Sequence, residues 1–421
     1  MLMLTLMVLV AASVSFCLSW VILKVSRKYR LYPKIRERDV HVRPTPRLGG
    51  IAMFVGLIVA FLIASRISFF RVVFTEPSQI LAILGAALLI VIVGVADDIW
   101  DLDWTIKLAA QLLVAALVTW QGVQIISLPI GGITVGSPLL SFLITLFTIV
   151  LVMNAVNFID GLDGLVAGVA IIANGVFLVY SYLLARDISP TNYFSLASLT
   201  AAVVVGMCAG FLPFNWHRAR LFMGDAGSML VGLLMATSAI SVTGQVDPVA
   251  LGRSQVLPAF LPIVLPIAVL LLPLADFGLA VLRRLRAGKS PFTADRKHLH
   301  HRLLDMGHSH LHAVLIFYAW TSVISVGLLL FFFIRPWWIP LVLIILGLIA
   351  CTFVTLAPLS RRKRFESDVQ SATAGSALGQ YDPLDRASEV YDDDIPVPEN
   401  VTTTRPRISS TKNPKPKPEK K

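Results

Sequence analysis

The sequence predicts an all-α polytopic membrane protein, and two observations support that prediction. Of the 421 residues, 56% are hydrophobic and 14% are charged, and the mean hydropathy is +0.77. A soluble chain usually carries about 25% charged residues, so most of this chain belongs in an apolar solvent. In addition, apolar stretches of about 20 residues, the length of a membrane-spanning helix, recur along most of the chain.

Eleven apolar stretches are predicted to span the membrane as helices that satisfy their own backbone hydrogen bonds. In order, they cover about Met3 to Ile22, Gly49 to Ile67, Ile80 to Val95, Trp104 to Trp120, Pro138 to Asn157, Gly164 to Leu184, Phe194 to Phe214, Gly227 to Val242, Leu257 to Leu282, Ala313 to Ile334 and Trp337 to Leu356. The fourth and the eighth are short for a span. The first is not predicted to be a cleaved signal peptide, because no basic residue precedes it and no small-residue cleavage site follows it.

Basic residues predict the orientation of the helices, because loops rich in Lys and Arg stay in the cytoplasm. The connections on one side contain nineteen of them, with the largest groups at 24–47 and 283–302, whereas the opposite loops contain five. The N-terminus is therefore predicted outside and, after eleven spans, the C-terminus in the cytoplasm. The net charge of +11 needs no nucleic acid to explain it, since these clusters also suit anionic headgroups and phosphate substrates.

Two regions are predicted along the chain: a membrane domain over residues 1–360 and a disordered cytoplasmic tail over residues 361–421. The tail is polar and rich in proline, with an acidic middle and a basic end, so it buries too little apolar surface to fold. Cys17, Cys208 and Cys351 all lie in apolar stretches and indicate neither a disulfide framework nor a zinc site.

Three acidic motifs fall at predicted cytoplasmic helix ends, namely "ADDIWDLDW" (96–104), "NFIDGLDGL" (157–165) and "FMGDAGSML" (222–230). Their carboxylates would repel one another if they converged, unless a divalent cation joined them. Mg²⁺, with Mn²⁺ as the alternative, suits such a site, because oxygen ligands bind it and leave positions for phosphate oxygens. Gly227 and Ser228 open an apolar stretch, so their helix N-terminal amides are predicted to face an anion. The competing interpretation of each aspartate is a helix cap.

Six of the eight histidines lie within residues 298–312, beside Arg302 and further basic residues. Imidazole and guanidinium groups that face a diphosphate would neutralise charge on a leaving group. A zinc site is one alternative, although the cluster lacks cysteine and its basic neighbours suit an anion better. A solvated basic loop that only sets the topology is the other, and it is the stronger interpretation for His308, His310 and His312.

Five ordered motifs resemble those of the polyprenyl-phosphate N-acetylhexosamine-1-phosphate transferases: "RPTPRLGG" (43–50), "ADDIWDLDWTIKLAAQ" (96–111), "NAVNFIDGLDGLVAG" (154–168), "FNWHRARLFMGDAGSMLVG" (214–232) and "RKHLHHRLL" (296–304). The resemblance covers roughly residues 30 to 360. It is nearest to the WecA and TagO branch, above all to actinobacterial WecA-type enzymes, and MraY is more distant. It implies transfer of N-acetylglucosamine 1-phosphate from UDP-GlcNAc to undecaprenyl or decaprenyl phosphate at the cytoplasmic face of the plasma membrane. UMP would leave, and the lipid-linked product would begin the synthesis of a cell-envelope polymer.

The resemblance also implies roles for individual residues. Asp225 would be the metal ligand, with Asn157 supporting it or contacting the diphosphate. The candidate catalytic acids Asp97 and Asp98 would position or deprotonate the lipid phosphate, which is already mostly ionised near neutral pH and needs little activation. Asp160 and Asp163, also candidate catalytic acids, would bind the nucleotide or order the site. The other implied contacts are those of Phe222 and Asn215 with uracil, of His298, His300, His301 and Arg302 with diphosphate or sugar, and of Arg47 and Lys107 with the lipid phosphate.

Two other classes of membrane protein remain as alternatives. "DDIWD" (97–101) also matches the DDxxD sequence with which UbiA-type prenyltransferases hold a diphosphate through Mg²⁺, but such an enzyme explains neither "MGDAGS" nor "HLHH". An ion-coupled transporter would spread ionisable residues through the depth of the bilayer, whereas the unusual polar residues here gather on one side. The sequence leaves open which UDP-sugar is used, the lipid length, the polymer supplied and whether the chain forms a homodimer.

Overall fold

The computed structural model describes residues 1–29, 45–125, 137–187, 192–243, 308–334 and 336–375, together with seven single residues between 278 and 306. Within these residues there is no β-strand, and the chain forms ten α-helices. They are α1 (Leu2–Tyr29), α2 (Gly49–Ala64), α3 (Pro77–Trp100), α4 (Trp104–Trp120), α5 (Pro138–Ile159), α6 (Leu165–Asp187), α7 (Asn192–Asn215), α8 (Gly224–Thr243), α9 (His310–Phe333) and α10 (Trp338–Gly375). Two short 3₁₀ helices, Ser68–Phe70 and Val73–Thr75, lie between α2 and α3.

Ten of the eleven predicted spans coincide with these helices. Eight of the helices are long and apolar enough to cross a membrane, and α2 and α4 are shorter apolar helices of 16 and 17 residues. The ninth predicted span, Leu257 to Leu282, lies almost wholly outside the described residues. The prediction of an all-α polytopic membrane protein is therefore confirmed for the part of the chain that the structure describes.

Polar residues continue two of the helices beyond the apolar stretches that predicted them. α3 runs five residues past its predicted end and stops at Asp101, whose φ of 53° is left-handed and whose amide donates to the Asp97 carbonyl at 2.9 Å. α8 begins at Gly224, three residues before its predicted start. Asp97 and Asp225 are consequently held by helical backbone rather than by flexible connections.

α8 lies at the centre of the helical assembly. α2, α3, α5 and α7 pack around it, while α1 and α6 pack against α7. In the most apolar segment of α8, 94% of the residues are buried, compared with 11% in the most apolar segment of α10. α8 is therefore the most enclosed of the eight long apolar helices, and its first turn carries Asp225.

Close contact between α1 and α7 depends on two glycines of α7. Gly206 and Gly210 lie against the backbone carbonyls of Val8 and Ala12, and a Cβ at either glycine would overlap them. The Ser15 hydroxyl donates to a backbone carbonyl of α7 at 2.8 Å. Small residues and hydroxyl groups of this kind let helices approach closely in lipid, where no hydrophobic force drives them together.

The membrane helices belong to one compact unit, residues 1–361. α10 is helical as far as Gly375, and residues 376–421 of the predicted tail lie outside the described part of the chain. The tail was predicted to be disordered from residue 361, whereas residues 361–375 continue α10 as a helix. The disorder of residues 376–421 stays a prediction.

Candidate active site

A lysine joins two of the acidic motifs at one end of the helices. Lys107 of α4 places its Nζ 3.1 Å from Asp97 Oδ2 and 3.2 Å from Asp225 Oδ2. The Asp97 side chain is 1% exposed, whereas the side chains of Lys107 and Asp225 are 25% and 29% exposed. The structure thus brings the predicted acids of α3 and α8 together around one cation, with Asp225 on the accessible side.

Asn157, near the end of α5, orients the other oxygen of Asp225. Its Nδ2 donates to Asp225 Oδ1 at 3.2 Å and to Ser228 Oγ at 2.8 Å. Ser228 in turn donates to the Gly224 carbonyl at 3.0 Å, one helical turn earlier. Each oxygen of Asp225 therefore faces a donor from a different helix, so the carboxylate is oriented before a substrate binds.

Asp98 lies beside the first turn of α8 and is 7% exposed. Its Oδ2 is buried, accepts no hydrogen bond from the described residues, and lies against Gly224. Gly224 has a φ of 71°, and a side chain there would overlap both this oxygen and the Arg47 carbonyl. Glycine is needed at this position for its backbone conformation and for space. Asp225, Arg47 and Asp97 are the charged groups near this buried carboxyl group.

Two glycines let α2 and α3 approach the first turn of α8. Gly50 lies against the backbone nitrogen of Gly227, and Gly94 lies against the backbone of Ala226. α2 therefore covers the Gly227 amide, which is not open to a substrate anion. The prediction that this amide faces an anion is therefore wrong. The sequence did not reveal this, because the contact with α2 joins residues far apart in the chain.

We expect Gly94→Ala to destabilise the protein by about 1–3 kcal/mol, the usual effect of forcing extra volume into a close contact. The added methyl group would overlap the backbone at Ala226, which cannot rotate away as a side chain can. Gly85→Ala is the matched control on α3, because no atom lies within 4 Å of the added Cβ. Thermal unfolding in detergent measures both variants. Equal melting temperatures for the two would contradict this account of the α3–α8 contact.

A second polar layer lies deeper, below the carboxylates. Gln111 of α4 accepts a hydrogen bond from Asn154 Nδ2 at 2.6 Å and donates to Met229 Sδ at 3.4 Å. Gln111 follows Lys107 by one helical turn and Asn154 precedes Asn157 by one turn, so each pair shares a helix face. The layer ties α4, α5 and α8 together and supports Lys107 and Asn157. The sequence analysis did not single out Gln111 or Asn154. Each is a polar residue in an apolar stretch, one helical turn from a predicted site residue, and this spacing could have indicated them.

Asp163 and Asn215 hold the α5–α6 loop against the connection between α7 and α8. Asp163 Oδ2 accepts from the Ala219 amide at 3.1 Å. Asn215 Oδ1 accepts from the Gly164 amide at 3.0 Å, and its Nδ2 donates to the Leu221 carbonyl at 3.1 Å. Asn215 is 4% exposed, so both ends of its side chain are used within the protein. A contact between Asn215 and uracil stays a prediction.

Asp160 follows the last residue of α5, and its amide donates to the Asn157 carbonyl at 3.2 Å. It is half-buried and lies in the same loop as Asp163. The bonds made by the loop therefore place both acids near the end of α5 that carries Asn157.

Arg47 and Phe222 are brought together by backbone pairing between the segment before α2 and the segment before α8. The Phe222 amide donates to the Pro46 carbonyl at 2.8 Å, and the Gly49 amide donates to the Phe222 carbonyl at 3.0 Å. Phe222 is half-buried. The first and the fourth motifs therefore meet at the same end of the helices as the carboxylates.

The described residues do not include His298, His300, His301 or Arg302, so their contacts with substrate stay predictions. Two later histidines take part in helix contacts. His308 Nε2 lies 2.9 Å from the Thr355 carbonyl oxygen of α10. Ser309 caps α9, with its Oγ accepting from the His312 amide at 3.3 Å.

The donor atoms of the site fit a hard cation. Among the described residues, no group of three or more His, Cys, Asp or Glu side chains is placed to hold a metal ion. Mg²⁺ needs fewer, because one or two carboxylates usually bind it together with water and phosphate oxygens. Asp225, whose side chain is 29% exposed at this site, supplies oxygen donors of this kind.

The chain matches a family model described as glycosyl transferase family 4 over residues 80–243. It is 40% identical over 352 residues, 82% of this chain and 86% of the relative, to decaprenyl-phosphate N-acetylglucosaminephosphotransferase of Mycolicibacterium smegmatis. It is 30% identical over 294 residues, 69% of this chain and 74% of the relative, to the probable undecaprenyl-phosphate N-acetylglucosaminyl 1-phosphate transferase of Bacillus subtilis. Identity is 28% over 339 residues, 77% of this chain and 83% of the relative, to undecaprenyl-phosphate alpha-N-acetylglucosaminyl 1-phosphate transferase of Escherichia coli.

Proposed function

The chain belongs to glycosyl transferase family 4, and on that basis we propose that it transfers N-acetylglucosamine 1-phosphate from UDP-GlcNAc to a polyprenyl phosphate. An oxygen of the lipid phosphate attacks the phosphorus that carries the sugar, the bond between the two phosphates breaks, and UMP leaves. The observation that carries the proposal is the convergence of Asp97, Lys107 and Asp225 at one end of the helices. There, a membrane lipid and a water-soluble nucleotide can both reach the charges that bind phosphate.

The acceptor is proposed to be decaprenyl or undecaprenyl phosphate. The relative at 40% identity is named for decaprenyl phosphate, and those at 30% and 28% are named for undecaprenyl phosphate. The product is a polyprenyl diphosphate that carries N-acetylglucosamine. As a lipid-linked sugar in the plasma membrane, it would begin the synthesis of a cell-envelope polymer.

Mg²⁺ is the proposed cofactor, with Mn²⁺ as the alternative, and Asp225 is its proposed ligand. When bound, such an ion neutralises charge on the diphosphate of the sugar nucleotide. Asp225 is the better candidate ligand because its side chain is 29% exposed, whereas that of Asp97 is 1% exposed. Lys107 and Asn157 hold its two oxygens in place.

On the lipid side of the site, Lys107 and Arg47 are proposed to bind the lipid phosphate. The Lys107 side chain is 25% exposed, so a substrate anion can approach it, and its ammonium group is proposed to bind that anion while it holds the two carboxylates. Asp97 and Asp98 are proposed to position that phosphate through these cations. This role requires no proton transfer, because a phosphate monoester is already mostly ionised near neutral pH.

On the nucleotide side, Asp160, Asp163 and Phe222 are proposed to bind the uridine part of the donor. The half-buried ring of Phe222 can stack on a base, since every base has a π face. His298, His300, His301 and Arg302 are proposed to contact the diphosphate or the sugar, as positively charged and hydrogen-bonding groups.

We further propose that the site faces the cytoplasm, with the N-terminus outside and the C-terminus inside. The excess of basic residues on one set of connections supports this orientation. Because successive spans alternate in direction, the ends of α3, α5 and α7 and the starts of α4, α6 and α8 share one side of the membrane. UDP-sugars are made in the cytosol, so this is the side on which the donor is available.

Cysteine labelling in intact cells tests the orientation. In a variant without the native cysteines, we expect His217→Cys, in the exposed α7–α8 connection, to be protected from an impermeant thiol reagent. Glu76→Cys, exposed before α3, is expected to be labelled. Labelling of His217→Cys together with protection of Glu76→Cys would reverse the proposed orientation.

Purified protein supplied with radiolabelled UDP-GlcNAc and polyprenyl phosphate tests the activity. The proposal predicts UMP and a labelled lipid in equal amounts. A UbiA-type enzyme would instead transfer the prenyl chain itself, and a transporter would form neither product; the comparisons with known proteins support neither alternative. UDP-GalNAc and UDP-MurNAc-pentapeptide in the same assay establish the sugar specificity.

A further inference from the structure

Tyr318 of α9 lies in an apolar helix and outside all five sequence motifs, yet it contacts the acidic α5–α6 loop. Its hydroxyl donates to the Gly164 carbonyl at 2.5 Å. The same carbonyl accepts the Gly168 amide at 3.0 Å, which forms the first turn of α6. The Gly164 amide donates to Asn215 Oδ1 at 3.0 Å. Both backbone polar groups of Gly164 are thus held by other helices: its amide by Asn215 of α7 and its carbonyl by Tyr318 of α9.

The surrounding residues form a slot for the Tyr318 ring. Gly168 lies directly against the ring, and a Cβ at this position would overlap its hydroxyl and neighbouring carbon atoms. Trp216, in the α7–α8 connection, lies on another side with ring centroids 6.5 Å apart and the planes inclined by 43°. Gly164 has a φ of 76°, a conformation that only glycine adopts readily. The left-handed backbone of Gly164, the space beside Gly168 and the hydrogen bond to the Gly164 carbonyl therefore all suit a tyrosine at position 318.

The slot is joined to groups assigned to the nucleotide. Asp163 precedes Gly164 and binds the Ala219 amide at 3.1 Å, and the same α7–α8 connection leads to Phe222. α9 begins at His310, two helical turns before Tyr318 and six residues after the end of the histidine motif (296–304). Tyr318 thus connects the helix that follows the histidines to the loop that carries Asp163.

We infer that Tyr318 is a positioning residue that holds the α5–α6 loop in the conformation that binds the nucleotide sugar. This inference rests on the proposed function for the identity of the ligand. It assigns no contact between Tyr318 and substrate, since the tyrosine acts through Gly164 and Asp163. The lipid phosphate is assigned to Lys107 and Arg47, so it should not depend on this contact.

Two variants test the inference in different ways. Tyr318→Phe removes the hydroxyl and keeps the ring, while Gly168→Ala displaces the ring and keeps the hydroxyl. Each should raise the KM for UDP-GlcNAc about tenfold, the effect of losing one hydrogen bond. The kcat and the KM for polyprenyl phosphate should stay close to the wild-type values. General destabilisation would instead lower kcat by reducing the active fraction, with both KM values unchanged.

Two matched controls lie on α6. Tyr182→Phe changes a half-buried tyrosine roughly 27 Å along the helix from Gly164, at 1.5 Å per residue. Gly175→Ala adds a methyl group where no atom lies within 4 Å. Both controls should keep wild-type KM values for both substrates. An unchanged KM for UDP-GlcNAc in Tyr318→Phe and Gly168→Ala, or an equal rise for both substrates, would overturn the inference.

Hydrogen exchange supplies a readout that does not depend on turnover. Amide exchange in a peptide covering residues 160–168 should be faster in Tyr318→Phe than in wild type, because the Gly164 and Gly168 amides lose support. Wild-type protein without transferase activity, but with this difference in exchange, would refute the proposed function and leave the positioning of the loop intact. Identical exchange in the two proteins would refute the positioning role itself.

Discussion

Replacing Asp225 with asparagine is expected to lower the rate of transfer by on the order of 10³-fold or more while the helices still fold. Asparagine has the same shape as aspartate, so the contacts around the first turn of α8 survive. It lacks the negative charge, and its amide nitrogen would face one of two donors, Lys107 Nζ or Asn157 Nδ2. Release of UMP at saturating Mg²⁺ and saturating substrates measures the loss. A thermal melt of the same sample shows that the protein is folded.

Asp103→Asn is the matched control for this change. Asp103 caps α4, where its Oδ1 accepts from the Thr105 amide at 2.9 Å and from the Thr105 hydroxyl at 2.6 Å. These hydrogen bonds from Thr105 lower the pKa of Asp103. Asparagine caps helices as well as aspartate does, so activity should stay within about twofold of wild type. Near-normal turnover of Asp225→Asn at saturating Mg²⁺ would remove Asp225 from the metal site.

The order of the helices could be predicted because lipid requires long apolar stretches with internally bonded backbones. α4 occupies the predicted residues, Trp104–Trp120, and Asp103 caps its start. The end of α3 was predicted too early, because hydropathy treats the first charged residue as the limit of a span. Asp97 continues the helix since Lys107 compensates its charge, and that partner is invisible to a hydropathy profile.

The gathering of the acidic motifs on one side also followed from the sequence, through the alternation of spans. The atoms that meet there did not. Lys107 and Asp225 are 118 residues apart, and their contact depends on how α4 and α8 are rotated about their axes. The rotation of α8 is fixed in part by close approaches such as Gly94 of α3 against Ala226, which no single-sequence pattern reveals. Tyr318 was missed for the same reason, since its partner Gly164 lies 154 residues away.

Lys107 has two roles in the site, and they can be separated. It is the cation between Asp97, whose side chain is 1% exposed, and Asp225, so it supports the structure. It is also proposed to bind the lipid phosphate. A buried carboxylate that loses its counter-ion destabilises a protein, whereas a lost phosphate contact lowers activity alone.

Lys107→Met is therefore expected to lower both the melting temperature and the rate of transfer, the latter by on the order of 10³-fold. Methionine keeps much of the apolar stem while removing the charge. Adding Asp97→Asn to this variant should restore the melting temperature, because no uncompensated charge then remains at the buried position, but it should leave transfer impaired. Lys24→Met is the control, since Lys24 is an exposed lysine at the end of α1 with its Nζ 3.6 Å from the centroid of the Trp20 ring. Recovery of wild-type turnover in the double variant would show that Lys107 serves the structure alone and does not bind the lipid phosphate.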